Sequence, residues 1–326
     1  MPEPKAKRRK VSICQEPKTS TLEGAFGVKF NPDVEELWNW ACSSKTGNLL
    51  DSLHPLLNLK LCGVFRYLQD LRDKKEDTST RDKKEKTEKE ERNIVSEESV
   101  RLHMIDREWQ CPPEFQPCAK NDTHLFGLWR DTPTEIPRFV VEKRNGCGVI
   151  TPVATDLFDL IRVLGKKQKV NIPKDLGKLI EKHASKEDLK QITAARNKTV
   201  VAKTFNKIGI VVPISKNDIG YRPLTITYAE LDKMLTKSCE TEDEAKKDKI
   251  LAPFDECMNY IQFANDECDY GMGFEMGMCV YSHSTSRNFM GTISSLLPLS
   301  YDLLGRVLYS KIMERTCEEA ELDTSS

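Results

Sequence analysis

Residues 72–92, RDKKEDTSTRDKKEKTEKEER, contain no apolar residue, and nearly every position is charged, with both signs mixed. A stretch of this kind has nothing to bury, so it forms either a mobile loop or the solvated extension of a helix. The core must be built from the segments on either side. At 326 residues the chain exceeds one small core and fits two domains of ordinary size. The expected organisation is a disordered basic tail over 1–24, then an N-terminal α+β domain over 25–135 interrupted by the charged flexible loop at 72–92. A C-terminal α+β domain follows over 136–316, with a short tail over 317–326.

The net charge is −1, which rules out a whole-protein basic field for nucleic acid. The local cluster KAKRRK (Lys5 to Lys10) reads as a nuclear import signal on a solvated tail. No apolar run approaches the roughly 20 residues that span a bilayer, and the N-terminus lacks the apolar core of a secretory signal. The eleven cysteines are therefore expected as free thiols in a reducing compartment. Cys111, Cys118 and His124 invite a zinc reading, but a fourth ligand at zinc-finger spacing is missing, and no metal site is expected.

Local patterns give the coarse structure. Leu37, Trp38 and Ala41 recur at helical spacing after Pro32-Asp33, and Leu56, Leu59, Leu61 and Val64 suggest a short extended piece. Trp109, Phe115, Phe126 and Trp129 anchor a strand-and-turn region that ends near Thr132 to Pro137. Strands are expected at Phe139 to Val141 and Gly148 to Ile150, with a turn at Asn145-Gly146. Thr151-Pro152 then opens a helix along Val153, Leu157, Leu160, Ile161 and Leu164. Ser185 with Asp188, and Thr227 with Glu230, have capping-box spacing. VVAKTFNKIGIVVPI reads as a hairpin. Pro253 is expected to start a helix carrying Phe254, Met258, Ile261 and Phe263 on its apolar face, and the chain closes with an amphipathic helix through Leu303 to Ile312. Without βαβ alternation the fold class is α+β, the C-terminal domain a mainly antiparallel sheet packed with helices.

The chemistry concentrates in FANDECDYGMG, residues 263–273, where Asp266, Glu267 and Asp269 crowd together with no basic residue among them. If the helix from Pro253 runs to about Tyr270 and stops at Gly271, the acids occupy its last turn. An anion there opposes the helix dipole by about 0.3–1 kcal/mol, and like charges three apart repel. That environment suits a general base. The plain alternative is a set of solvated acids, or acids paired with an arginine from a distant loop. A metal-dependent hydrolase would also want clustered acids around Mg²⁺. The chain offers no Gly-rich phosphate loop, HExxH or GxSxG, and its five histidines are scattered. It has an acid candidate without a substrate site.

The segments KNDIGYRPL and YIQFANDECDYGMGFEMGM, with PPEFQ, FGLWRDTPTEIP and LLPLSYDLL in the same order, resemble the histone PARylation factor family over about residues 30–315. The resemblance implies an accessory factor that binds the catalytic domain of DNA-damage poly(ADP-ribose) polymerases and completes their active site. The partner polymerase binds NAD⁺, and no cofactor is bound by this chain. Glu267 matches the family's base for the acceptor serine, while Asp266, Tyr221 and Arg222 match positions that dock the polymerase or shape the joint site. Histones are the implied acceptors, DNA is met only indirectly, no membrane is involved, and the implied location is the nucleus, at damaged chromosomes. The other readings are a passive adaptor recruiting the polymerase to chromatin, and a metal-dependent hydrolase. Two positions depart from the family pattern: Pro223 follows Arg222 where an acid is usual, and the loop Ser282 to Asn288 lacks aromatic and histidine-rich character. Asp269 is expected to make an intradomain hydrogen bond.

Overall fold

The computed structural model describes residues 19–44, 47–78, 95–183 and 188–324. The basic cluster at 5–10, residues 79–92 of the charged run, and Ser185 lie outside the described residues. The chain begins with α1 (Thr19–Phe26) and α2 (Pro32–Ser43), a short 3₁₀ turn, α3 (His54–Leu57), β1 (Lys60–Leu61) and α4 (Val64–Thr78). Only Lys60–Leu61 of the expected extended piece is strand, since Leu56 lies in α3 and Val64 opens α4. The charged run starts inside α4, as a helix extension, through Thr78.

After α5 (Glu97–Met104) come β2 (Phe115–Lys120), β3 (His124–Trp129), β4 (Phe139–Arg144) and β5 (Ile150–Ala154). With β1 they make one antiparallel sheet in the order β1-β2-β3-β4-β5. Strand β3 pairs with β4 from Trp129 opposite Phe139 to His124 opposite Arg144. The expected boundary at 135/136 therefore falls inside a hairpin connection of this sheet. That connection is closed by the Arg138 N–H on Trp129 O at 2.8 Å. Proline-rich sequence marks a turn as readily as a linker, which is why composition alone placed a division here.

The alternation along the strands explains the layering. Phe126, Leu128 and Val140 face a large buried cluster that runs from Leu22 to Cys317, while Leu125, Trp129, Phe139 and Val141 face a second, smaller one. The larger cluster joins Phe26, Trp38 and Phe65 from before the charged run to Tyr281, Tyr301 and Tyr309 from the C-terminal helices. Both faces of the sheet are thus covered, and the core ignores the sequence division.

Strand β5 occupies residues that the sequence reading gave to a helix. The helix α6 (Leu157–Gln168) starts later because Asp156 caps it, accepting the Asp159 N–H, and Asp33 accepts the Leu157 N–H at 2.9 Å. Then come α7 (Lys174–Lys182) and α8 (Leu189–Asn197), whose capping box is Asp188 with Gln191. The hairpin β6 (Val200–Ala202) and β7 (Ile210–Val211) is present. α9 (Tyr228–Glu240) opens on the Thr227–Glu230 capping box.

The last helices are α10 (Glu244–Asp266), α11 (Gly271–Ser282), α12 (Met290–Leu303) and α13 (Val307–Thr324). α10 starts well before Pro253, which sits inside it and forgoes a single backbone bond. The closing segment is two helices rather than one, broken at Gly305 with φ 70°, and α13 runs past residue 317. α11 is buried on every side, packed between α10 and α12. Among the described residues no helix is long and apolar enough to cross a membrane.

Candidate functional site

α10 ends sooner than the glycine pattern suggests. Glu267 is its C-cap, and Cys268 takes the left-handed conformation with φ 66°. The Cys268 N–H bonds Asn265 O at 3.1 Å, and the Asp269 N–H reaches back to Ala264 O at 2.8 Å. This pair of bonds is a Schellman motif with cysteine at the position where glycine is usual. Gly271, expected as the stop, is instead the first residue of α11. Asp266 closes the helix, Glu267 caps it, and Asp269 lies beyond the reversal, so the three acids point into different surroundings.

A loop from before α9 packs against this reversal. Gly220, with φ 134°, donates its N–H to Asp269 Oδ1 at 2.8 Å and accepts the Gly271 N–H at 2.9 Å. A Cβ on Gly271 would stand 2.9 Å from both Gly220 O and the Tyr221 ring, so glycine is what lets the two segments meet. Asp269 is buried and makes the intradomain bond expected of it.

The following residue pair spreads in two directions. Arg222 extends along the surface, where its guanidinium pairs with Glu267 and stands 3.0 Å from Asp269 Oδ2. The acids thus have a cation from their own chain, 45 residues away in sequence, the arginine from a distant loop that the plain alternative names. Tyr221 turns inward. Its hydroxyl donates to Glu275 Oε2 at 3.0 Å, and the Tyr228 hydroxyl donates to Glu275 Oε1 at 2.6 Å. Burial pushes the Glu275 carboxyl up, and the Tyr228 and Tyr221 hydroxyls oppose that rise. The two tyrosines are pushed above their ordinary range, by burial first and then by Glu275, through both its charge and the hydrogen bonds it accepts.

Glu267 itself is open to solvent: its side chain is 60% exposed against 45% for its Arg222 partner. Asp266 is also exposed, and no ion pair or side-chain hydrogen bond holds it among the described residues. One turn before Glu267, Phe263 is 60% exposed, with Tyr260 at 44% another turn back. Residues three and four apart share a helix face, so an aromatic strip runs along α10 to the carboxylate. The sequence reading put Phe263 in the core. Its spacing of four from Glu267 was the available signal. Ile219, beside Gly220, is exposed as well.

The structure therefore brings together Glu267, Arg222, Asp269 and Gly220, with Tyr221 and Glu275 behind them, and leaves Asp266 at the edge. Among the described residues no group of three or more His, Cys, Asp and Glu is arranged to hold a metal ion, and Asp269 is turned away toward Gly220. The loop Ser282 to Asn288 is tied down. His283 is buried with its ring 3.0 Å from Asp232, a pairing invisible in sequence, and the Trp109 indole N–H donates to Ser286 Oγ at 2.9 Å. Cys111 and Cys118 lie in different buried clusters.

The family model described as histone PARylation factor 1 matches residues 17–320. The chain is 31% identical over 311 residues to histone PARylation factor 1 of Mus musculus, covering 90% of this chain and 84% of the relative. The Bos taurus protein of that name is 32% identical over 310 residues, with the same coverage. The Danio rerio protein is 31% identical over 326 residues, covering 94% of this chain and 86% of the relative.

Proposed function

The chain belongs to the histone PARylation factor 1 family, and from that premise we propose that it completes the active site of a poly(ADP-ribose) polymerase and directs ADP-ribosylation to serine. The polymerase catalytic domain binds the substrate NAD⁺, and this chain binds no cofactor. Glu267 takes the proton of the acceptor serine hydroxyl. The serine oxygen forms its bond to the ribose carbon as the bond to nicotinamide breaks, and nicotinamide leaves. A carboxylate acceptor is already ionised at neutral pH, while a hydroxyl is a poor nucleophile until its proton is removed. The chain alone is not an enzyme in this reading, because it holds the base and the partner holds the substrate. Histones and other nuclear proteins are the acceptors, at damaged chromosomes, with DNA contacted through the polymerase.

The observation that carries the reading is the placement of Glu267: an exposed carboxylate at a fixed helix end, gripped by an exposed arginine and bordered by the bare ring of Phe263. Exposed aromatic and arginine side chains around a functional group are the composition of binding hot spots. Asp266, Tyr221 and Arg222 frame the docking surface, with the Tyr221 hydroxyl occupied by Glu275, so its contribution to docking is the ring. The same exposed surface would serve a passive adaptor that only recruits the polymerase. The direct test incubates the polymerase, nicked DNA, NAD⁺ and histone with and without this chain, and maps acceptors by mass spectrometry. Serine acceptors should appear only with the chain present; an unchanged acceptor profile would sink the reading.

A further inference from the structure

Glu275 is a nearly fully buried carboxyl in the second turn of α11, and no residue of α11 gives it a partner. Its hydrogen-bond partners come from one other segment: the Tyr221 hydroxyl at 3.0 Å and the Tyr228 hydroxyl at 2.6 Å, with the backbone N–H of Leu224 also turned to the carboxyl. Buried carboxylates are costly, and one that survives does so because several donors converge on it. Here both hydroxyl donors belong to residues 221–228, the stretch that contains Arg222 and Pro223 and leads into α9.

We infer that Glu275 is a positioning residue of the site, a buried anchor whose bonds from the Tyr221 and Tyr228 hydroxyls fix the Tyr221–Tyr228 stretch and thereby set Arg222 against Glu267. The inference rests on the proposed role of Glu267. Apart from the ion pairs of its guanidinium with Glu267 and Asp269, Arg222 is supported through its backbone. Upstream, the loop is pinned at Gly220 by Asp269 and Gly271. Downstream, the first fixed point after Arg222 is the Glu275 cluster and then the Thr227 cap. An arginine is long and rotamer-rich, so those ion pairs order its head at lower entropic cost when its backbone is already fixed. Glu275 touches neither Glu267 nor the exposed surface, and it acts through Tyr221 and Arg222.

A glutamine at this position tests the anchor because it keeps the shape and changes the acceptor count. A carboxylate offers one oxygen to each hydroxyl donor, while an amide has one acceptor oxygen and brings two N–H groups of its own. In the free protein, Glu275→Gln should speed amide exchange at residues 219–224 by about tenfold or more, with protection in α12 and α13 unchanged. In the presence of polymerase, serine modification at saturating Glu275→Gln protein should fall about tenfold. In an Arg222→Ala background the same change should cost less than about twofold, since the two act through one path. Tyr221→Phe removes only the hydroxyl on Glu275 and should restore part of the loss when combined with Glu275→Gln, because one surplus donor is gone.

Unchanged exchange at 219–224 would overturn the anchor, and so would additive losses in the Arg222→Ala background. If Glu275→Gln fails to fold, Tyr228→Phe gives the same exchange readout with no added donor; unaltered exchange there overturns the anchor equally. Exchange in the free protein speaks without the polymerase. If wild type gives no serine acceptors while the exchange result holds, the role of Glu267 fails and the anchor stands.

Discussion

Asp269 accepts the Gly220 N–H at 2.8 Å, joining the end of α10 to a loop 49 residues earlier in the chain. Its second oxygen stands 3.0 Å from the Arg222 guanidinium. One buried carboxylate therefore holds both the backbone and the cation that frame Glu267. Asp269→Ala leaves a buried N–H unsatisfied, which costs about 1–3 kcal/mol. The urea midpoint should fall accordingly, and an unchanged midpoint would show that the loop is held without it.

Cys268 occupies a left-handed position with φ 66° at the reversal after α10. A side chain there is disfavoured by roughly 1–2 kcal/mol, against an entropic cost of about 0.5–1 for glycine. Cys268→Gly should therefore raise stability by about 0.5–1 kcal/mol in denaturant unfolding. A loss instead would mean that the thiol makes contacts worth more than the backbone strain.

Glu114 supplies the pH dependence. It is buried, accepts the Tyr301 hydroxyl at 2.8 Å and lies 3.8 Å from Arg306. Burial pushes its carboxyl up to about 7, with the Arg306 charge opposing. An acid with a raised folded-state pKa holds its proton longer in the folded chain than in the unfolded one. Its contribution is complete below the unfolded value near 4.5 and is lost as pH rises through about 7. On the order of 3 kcal/mol should disappear across that window. In Glu114→Gln the slope of stability against pH between 5 and 7 should be shallower than in wild type; an equal slope would remove Glu114 as the source.

Phe263 is more than half exposed, so Phe263→Ala should leave thermal stability within about 0.5 kcal/mol of wild type. If the aromatic strip docks the polymerase catalytic domain, affinity should fall at least about tenfold, in the range of a hot-spot truncation. Titration calorimetry with the isolated catalytic domain separates the two effects. Unaltered affinity would move the docking surface away from α10.

What was legible in the sequence was chemistry confined to a few neighbouring residues. Thr227 with Glu230 is a capping box in both, since the cap is made by residues three apart. The β6–β7 hairpin likewise follows from local β-branched content and a turn. The acidic stretch could be singled out, and a distant arginine is among the partners its sequence suggests, but the geometry of its surroundings could not be read there. Arg222 reaches Glu267 across 45 positions, and His283 meets Asp232 across 51. Only the tertiary fold supplies such pairs. Gly271 misled because a reversal at Cys268 does the work of a glycine, leaving the real glycine free for close packing. Phe263 misled because an apolar residue on a helix suggests a core face, and an exposed aromatic strip has the same pattern. The break at 135/136 misled because a proline-rich hairpin and a proline-rich linker share a composition.

The most direct measurement is the behaviour of Glu267→Gln. Glu267 is exposed at the helix end, so the change removes the proposed base and its ion pair with Arg222 and little else from the fold. Binding to the polymerase catalytic domain is measured by calorimetry, and acceptor residues on histone are mapped by mass spectrometry with NAD⁺ and nicked DNA. The expected result is an affinity within about threefold of wild type with serine modification reduced at least about a hundredfold, the scale of losing a general base. Normal binding with persistent serine modification would contradict the catalytic role and leave a passive adaptor.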